Sequence, residues 1–112
     1  MKESININKE FSKLPMFEDY LNLLNLTPEE LVQQIPKMPI EDQKILKSTV
    51  VIVYNQVHLT LRQIYNLMIQ NIEGKPQEYI DSLITTRNSL AVLAQKTEDI
   101  HGILDLGIKN SK

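Results

Sequence analysis

Two arginines, Arg62 and Arg87, are the side chains whose type and position best suit them to capture a ligand. A guanidinium is planar, permanently charged and grips phosphate or carboxylate through paired N–H donors. Arg87 falls about 40° from Leu83 on a helical wheel, between Leu83 and Leu90/Ala94, and so inside a stripe predicted to face the core. A guanidinium there needs an anion, because an unpaired buried charge is very costly. Arg62 belongs to a polar seam of Asn55, His58, Arg62 and Asn66 at three- and four-residue steps. If the chain folds back about Gly74-Lys75, Arg62 and Arg87 stand at one height, and the chemistry they offer is binding of a phosphate, a nucleotide or a partner's carboxylate. In the competing reading Arg62 faces water and Arg87 snorkels or pairs with Glu18, Asp19 or Glu29.

Other reactive groups are sparse. Glu98-x-x-His101 has the spacing of a carboxylate-bundle metal ligand pair, but no acid lies between Asp42 and Glu73 to complete it, and the chain has only two histidines. His101 near a helix end suits the helix dipole instead. His58 with Ser48 or Thr60 is a spacing that any helix produces. There is no cysteine, so neither a thiol nucleophile nor a thiolate metal site is possible. Gly74, Gly102 and Gly107 are the only glycines, too few and too scattered for a phosphate-binding loop. The expectation is a protein without catalytic residues, metal or cofactor.

The element that must position these residues is Ile40–Glu73, read as one helix roughly 50 Å long. Its apolar positions Leu46, Val50, Val53, Val57, Leu61, Ile64, Leu67/Met68 and Ile72 step by four, three and four. That pattern repeats every eleven residues, about 3.67 per turn, and keeps the seam on one face of a nearly straight rod. A second stripe, Ile45, Ile52 and Leu59, lies about 120–140° away, and Val51 and Ile69 add further apolar surface. About 14 residues between Lys47 and Arg62 carry no charge. A helix apolar on more than one face is buried on more than one face, and so short a chain has little to cover it. Ile45, Val51, Ile52, Leu59 and Ile69 are therefore the candidate interface. The β-branched run Thr49–Val53 would also suit a strand, but no second strand-like run exists to pair with it.

Around this rod the punctuation is clear. Residues 1–14 read as a loose arm that Ile5, Ile7 and Phe11 could dock. A short helix is expected from about Pro15, as its first residue, to Asn25, and a second from a Thr27 cap with Pro28 at N1 and Glu30 closing a capping box. Pro36 and Pro39 stop it. Gly74-Lys75 is a turn, and the last helix runs from Pro76 to about Ile100 or His101, with Gly102 and Gly107 fraying or ending it. Its inward stripe is Tyr79/Ile80, Leu83, Leu90/Ala91, Ala94 and Thr97, with Leu104 if the helix continues. Residues 103–108 pack as an extension of the single helical domain, 15–108, and 109–112 form a mobile tail.

The fold expected is all-α: a long antiparallel helical hairpin with two short N-terminal helices, completed as a bundle by self-association. With 112 residues, 42% of them hydrophobic and 23% charged, the composition is that of one ordinary globular domain. The start, Met1–Asn6, lacks the apolar core of a secretory signal, and no run is long enough to span a bilayer, so a cytoplasmic protein without a membrane partner is expected. Net charge is −2, with no Lys/Arg cluster to neutralise phosphates. Abundant Ile, Asn and Lys, encoded by AT-rich codons, point to a low-GC bacterial, phage or plasmid genome. Residues 27–46 have helix-turn-helix lengths, but the would-be recognition helix begins Pro39-Ile40-Glu41-Asp42, whose acids carry the wrong sign for DNA. Function is thus expected as a small helical regulator, inhibitor or adaptor that binds itself and another protein. The alternative is a binder of an anionic small molecule at Arg62 and Arg87.

Overall fold

A computed structural model of the chain describes residues 11–71 and 73–111. Four α-helices, with no strand among the described residues, follow in order: α1 (Phe17–Leu24), α2 (Pro28–Gln34), a 3-10 turn (Ile35–Lys37), α3 (Ile40–Asn71) and α4 (Gln77–Asn110). The long antiparallel hairpin and the two short N-terminal helices expected from the sequence are what the chain forms. Ile5, Ile7 and Ile72 lie outside the described residues.

α3 takes in the β-branched run Thr49–Val53 as helix. Intrinsic propensity against helix is a few tenths of a kcal/mol per residue, whereas Val50 and Val53 are buried side chains, each of which gains roughly 1.5–3 kcal/mol on burial. Packing therefore decides. The predicted seam Leu46, Val50, Val53, Val57, Leu61 and Ile64 is buried throughout. Glu41 and Asp42 occupy the first turn, where acids complement the helix dipole. Gly74, at φ +77°, supplies the left-handed residue of the turn, and Pro76 with φ −59° precedes α4.

Two boundaries differ from those the sequence suggests. Pro15 does not open α1: Met16 sits between them in the left-handed region at φ 58°. The Pro15 carbonyl instead accepts the Thr49 hydroxyl of α3, so the turn is held by a tertiary contact at the expense of local backbone preference. Gly102 and Gly107 do not end α4, which continues to Asn110, and Lys109 and Asn110 belong to the helix and not to a tail. Each glycine costs about 1 kcal/mol relative to alanine, but fully buried Ile100 and Leu104 hold this end against the core. The stripe Tyr79, Ile80, Leu83 and Leu90 is only half-buried and Ala91 is exposed. The expected positions Ala94, Thr97 and Leu104 are buried, and Ile100 joins them, so the burial of α4 falls on its C-terminal half.

The core is consequently polarised. Phe17, Tyr20 and Leu23 of α1, Leu31 of α2 and Ile35 join α3 and α4 at the end of the hairpin remote from the turn. The capping box starts α2 as expected: the Thr27 N–H donates to Glu30 Oε1 (2.9 Å) and the Glu30 N–H to Thr27 Oγ1 (3.2 Å). Tyr20 fixes α1 to α4, its hydroxyl 2.7 Å from Thr97 Oγ1. Because Thr97 Oγ1 already donates to the Leu93 carbonyl, Tyr20 is the donor. Burial raises its pKa above the usual phenol value.

Candidate functional site

The register of the hairpin is set by two cross-helix contacts, Lys47 Nζ to Asp105 Oδ1 (2.7 Å) and the Tyr54 hydroxyl donating to Glu98 Oε2 (3.0 Å). Both lie on one edge of the α3–α4 seam, opposite the edge that α1 covers. Asp105 also takes Lys109 Nζ at 3.2 Å on its other oxygen. Hydrogen bonds from Lys47 and then Lys109 lower its pKa from 3.8 to about 2.

Arg62 is exposed, as are Asn55, His58 and Asn66. On the α3 wheel they centre more than about 100° from the core seam and face outward. Arg87 is half-buried rather than buried, because on the helical wheel it shares the edge of α4 that carries Glu98 and Asp105, opposite the edge that α1 covers. Its Nε and Nη2 both donate to Asn88 Oδ1, at 3.0 and 2.6 Å. Glu18, Asp19 and Glu29, the acids considered as partners, make no ion pair with it. Neither arginine is paired with a carboxylate among the described residues.

His58 stacks edge-on against Tyr54, with ring centroids 4.3 Å apart. With Leu61, Ala91, Gln95 and Glu98 it borders a shallow concavity of about 220 Å³. Glu98 is engaged by Tyr54, whose pKa is raised first by that hydrogen bond to a carboxylate and then by desolvation and the nearby charge. No group of three His, Cys, Asp or Glu able to hold a metal occurs among the described residues.

The candidate interface residues divide. Ile45, Ile52 and Leu59 are 43%, 46% and 45% exposed and, seven residues apart, form one line along the outside of α3. Ile69 is 79% exposed and Val51 half-buried, and both lie about 100° round the helix from that line. The apolar line is thus Ile45, Ile52 and Leu59, with Val51 and Ile69 on a different face.

A cavity of about 340 Å³ lies where α1, α3 and α4 meet, bordered by apolar side chains and by Gln56, Thr60 and Thr86. The only sequence signal was the polar interruption of apolar stripes at Gln56 and Thr86. Among the described residues no helix is long and apolar enough to cross a membrane. Comparison of the chain with protein-family models, with curated proteins and with solved structures gave no match.

Proposed function

We propose that this is a non-catalytic, cytoplasmic helical interaction protein, a small regulator, inhibitor or adaptor of bacterial or phage type. It binds a second copy of itself and a protein partner through the outer face of α3. The observation that carries this reading is the line Ile45, Ile52 and Leu59, three large aliphatic side chains each left more than two-fifths exposed along one face of the longest uncharged run in the chain. Apolar residues scattered singly on a surface need no explanation, whereas a contiguous line favours a partner.

Light scattering tests it. The wild type should exceed the 13.0 kDa monomer mass, and Ile52→Glu with Leu59→Glu should return it to monomer with helix content unchanged, since both side chains point outward. A strict monomer at every concentration, together with pull-downs that recover no partner, would refute the reading.

A second reading is favoured by the absence of any carboxylate partner on Arg62 and Arg87 among the described residues: the two guanidinium groups capture an anionic small molecule. Thermal melts with a phosphate and nucleotide panel should then show stabilisation that grows with ligand concentration and disappears in Arg87→Met. No shift with any anion would leave only the protein-binding reading.

A further inference from the structure

We propose that the cavity between α1, α3 and α4 is a binding site for an uncharged, largely apolar small molecule carrying one hydroxyl-like polar group. Its volume, about 340 Å³, lies within the range of small-molecule pockets and is about twice that of a dry cavity of roughly 150 Å³ that accepts benzene. The walls are rings and branched chains: Phe17 and Leu24 from α1, Val57 from α3, Leu90 and Leu93 from α4. No charged side chain borders it among the described residues. An ionic ligand would lose its hydration there without gaining a counter-charge, which selects a neutral one.

The polar groups sit at one end. Along α3 the bordering residue nearest the hairpin turn is Thr60, and along α4 it is Thr86, with Gln56 one helical turn inward. Thr60 is occupied: its hydroxyl donates to the Gln56 carbonyl at 3.0 Å, and Gln56 Nε2 lies 3.5 Å from it. The hydroxyl of Thr97 likewise donates one turn back along its helix. Thr86 does not. Thr86 is a half-buried residue that borders the cavity, and its hydroxyl makes no hydrogen bond among the described residues, so it keeps both donor and acceptor capacity. Such a hydroxyl is an anchor for a ligand's O–H, placed so that the ligand body extends toward Phe17 and Leu93. This site is separate from the outer face of α3 and from Arg62 and Arg87, and its test is independent of theirs.

The test is titration of the full chain with 1-naphthol, naphthalene and 1-naphthoate, followed by amide chemical shifts. The expected result is one saturable site for 1-naphthol, with a dissociation constant on the order of 0.1 mM for a ligand of ~11 heavy atoms, and shifts centred on Val57 and Leu90. Naphthalene should bind about five-fold more weakly, the worth of one hydrogen bond, and naphthoate not measurably. Thr86→Val keeps the side-chain shape and should reduce 1-naphthol to the affinity of naphthalene while leaving naphthalene unchanged. Leu90→Trp, which fills the cavity, should abolish both. Absence of saturable binding, naphthoate binding as tightly as naphthol, or shifts confined to Ile45, Ile52 and Leu59 would overturn the proposal. If Leu90→Trp fails to fold, Thr86→Val alone decides: an unchanged preference for naphthol over naphthalene in that variant overturns it.

Discussion

Replacing Gly107 by alanine in the interior of α4 should destabilise the protein, against the usual direction of that substitution. In a helix interior Gly→Ala is favourable by about 1 kcal/mol, since alanine has less backbone freedom to lose. At Gly107 a Cβ would stand 2.6 Å from Gln43 Oε1 and 3.7 Å from its Cδ. Gln43 is only 4% exposed, and its Nε2 donates to the Met38 carbonyl at 2.9 Å. That bond fixes the amide orientation, because the flipped amide would set two oxygens against each other. Oε1 is itself buried without a hydrogen-bond partner among the described residues. A methyl group at 107 must therefore push the amide off Met38 and leave a half-buried carbonyl without its donor, at a cost of roughly 2–3 kcal/mol. Set against the helical gain, the net effect is a loss of roughly 1–2 kcal/mol.

Gly102 is the internal control. Nothing lies within 4 Å of a Cβ built there, so Gly102→Ala should stabilise by about 0.5–1 kcal/mol. Urea unfolding followed by far-UV circular dichroism should separate the two variants by roughly 2–3 kcal/mol, or in thermal melts by roughly 4 °C for each kcal/mol. In a Gln43→Ala background Gly107→Ala should become stabilising, because the obstructing amide is gone, and the double-mutant cycle isolates that coupling. If Gly107→Ala in the wild-type background stabilises as much as Gly102→Ala, the amide yields freely and the reasoning is wrong.

Two further outcomes follow from the tertiary polar contacts. Asp105 has a folded pKa of about 2 against 3.8; a lowered carboxylate contributes stability that is present above the unfolded value and lost as pH falls toward the folded one. Asp105→Asn should therefore flatten the stability profile between about pH 4 and 2 and leave its slope above pH 5 unchanged, as read from urea midpoints across that range. Tyr20→Phe removes the donor to Thr97 and should cost about 1 kcal/mol with the fold retained. Since the Tyr20 pKa is raised, the wild type should also lose stability as pH rises above about 10, the unfolded phenol value, and the variant should lack that part of the alkaline slope.

What was legible in the sequence was whatever periodicity or local capping encodes. The buried seam Leu46–Ile64 follows from steps of three and four, and the Thr27–Glu30 box from spacing alone. Contacts that bring distant positions together left no such trace: Tyr20 with Thr97 and Lys47 with Asp105 join residues 77 and 58 apart. The misplaced end of α4 has the same origin. Gly102 and Gly107 are stop signals locally, but Leu104 between them is fully buried by the N-terminal helices and the start of α3, and a local rule does not contain that energy. Arg87 shows the converse. Its wheel position sets it beside Leu83, yet a stripe is buried only where something lies over it, and α1 covers the other edge of α4.

α1 and α2 together hold 15 helical residues, whereas α3 alone extends about 48 Å at 1.5 Å per residue and the molecule 56 Å. Two short helices of about 12 and 10 Å cannot sheathe a hairpin of that length, and they are committed to one edge of one end by Tyr20, Leu31 and Ile35. Three consequences of that shortage are visible at different places: the outer line Ile45, Ile52 and Leu59 has no cover, the stripe of α4 near the turn is half covered, and a cavity opens where α1 ends between Leu24 and Thr60. Charge on the first of these or bulk in the last would close each place to a partner, since exposed apolar lines invite association. Neither substitution requires a change of backbone. If the proposed binding holds at both places, Ile52→Glu and Leu90→Trp should each abolish it at its own place while the helical circular dichroism stays unchanged.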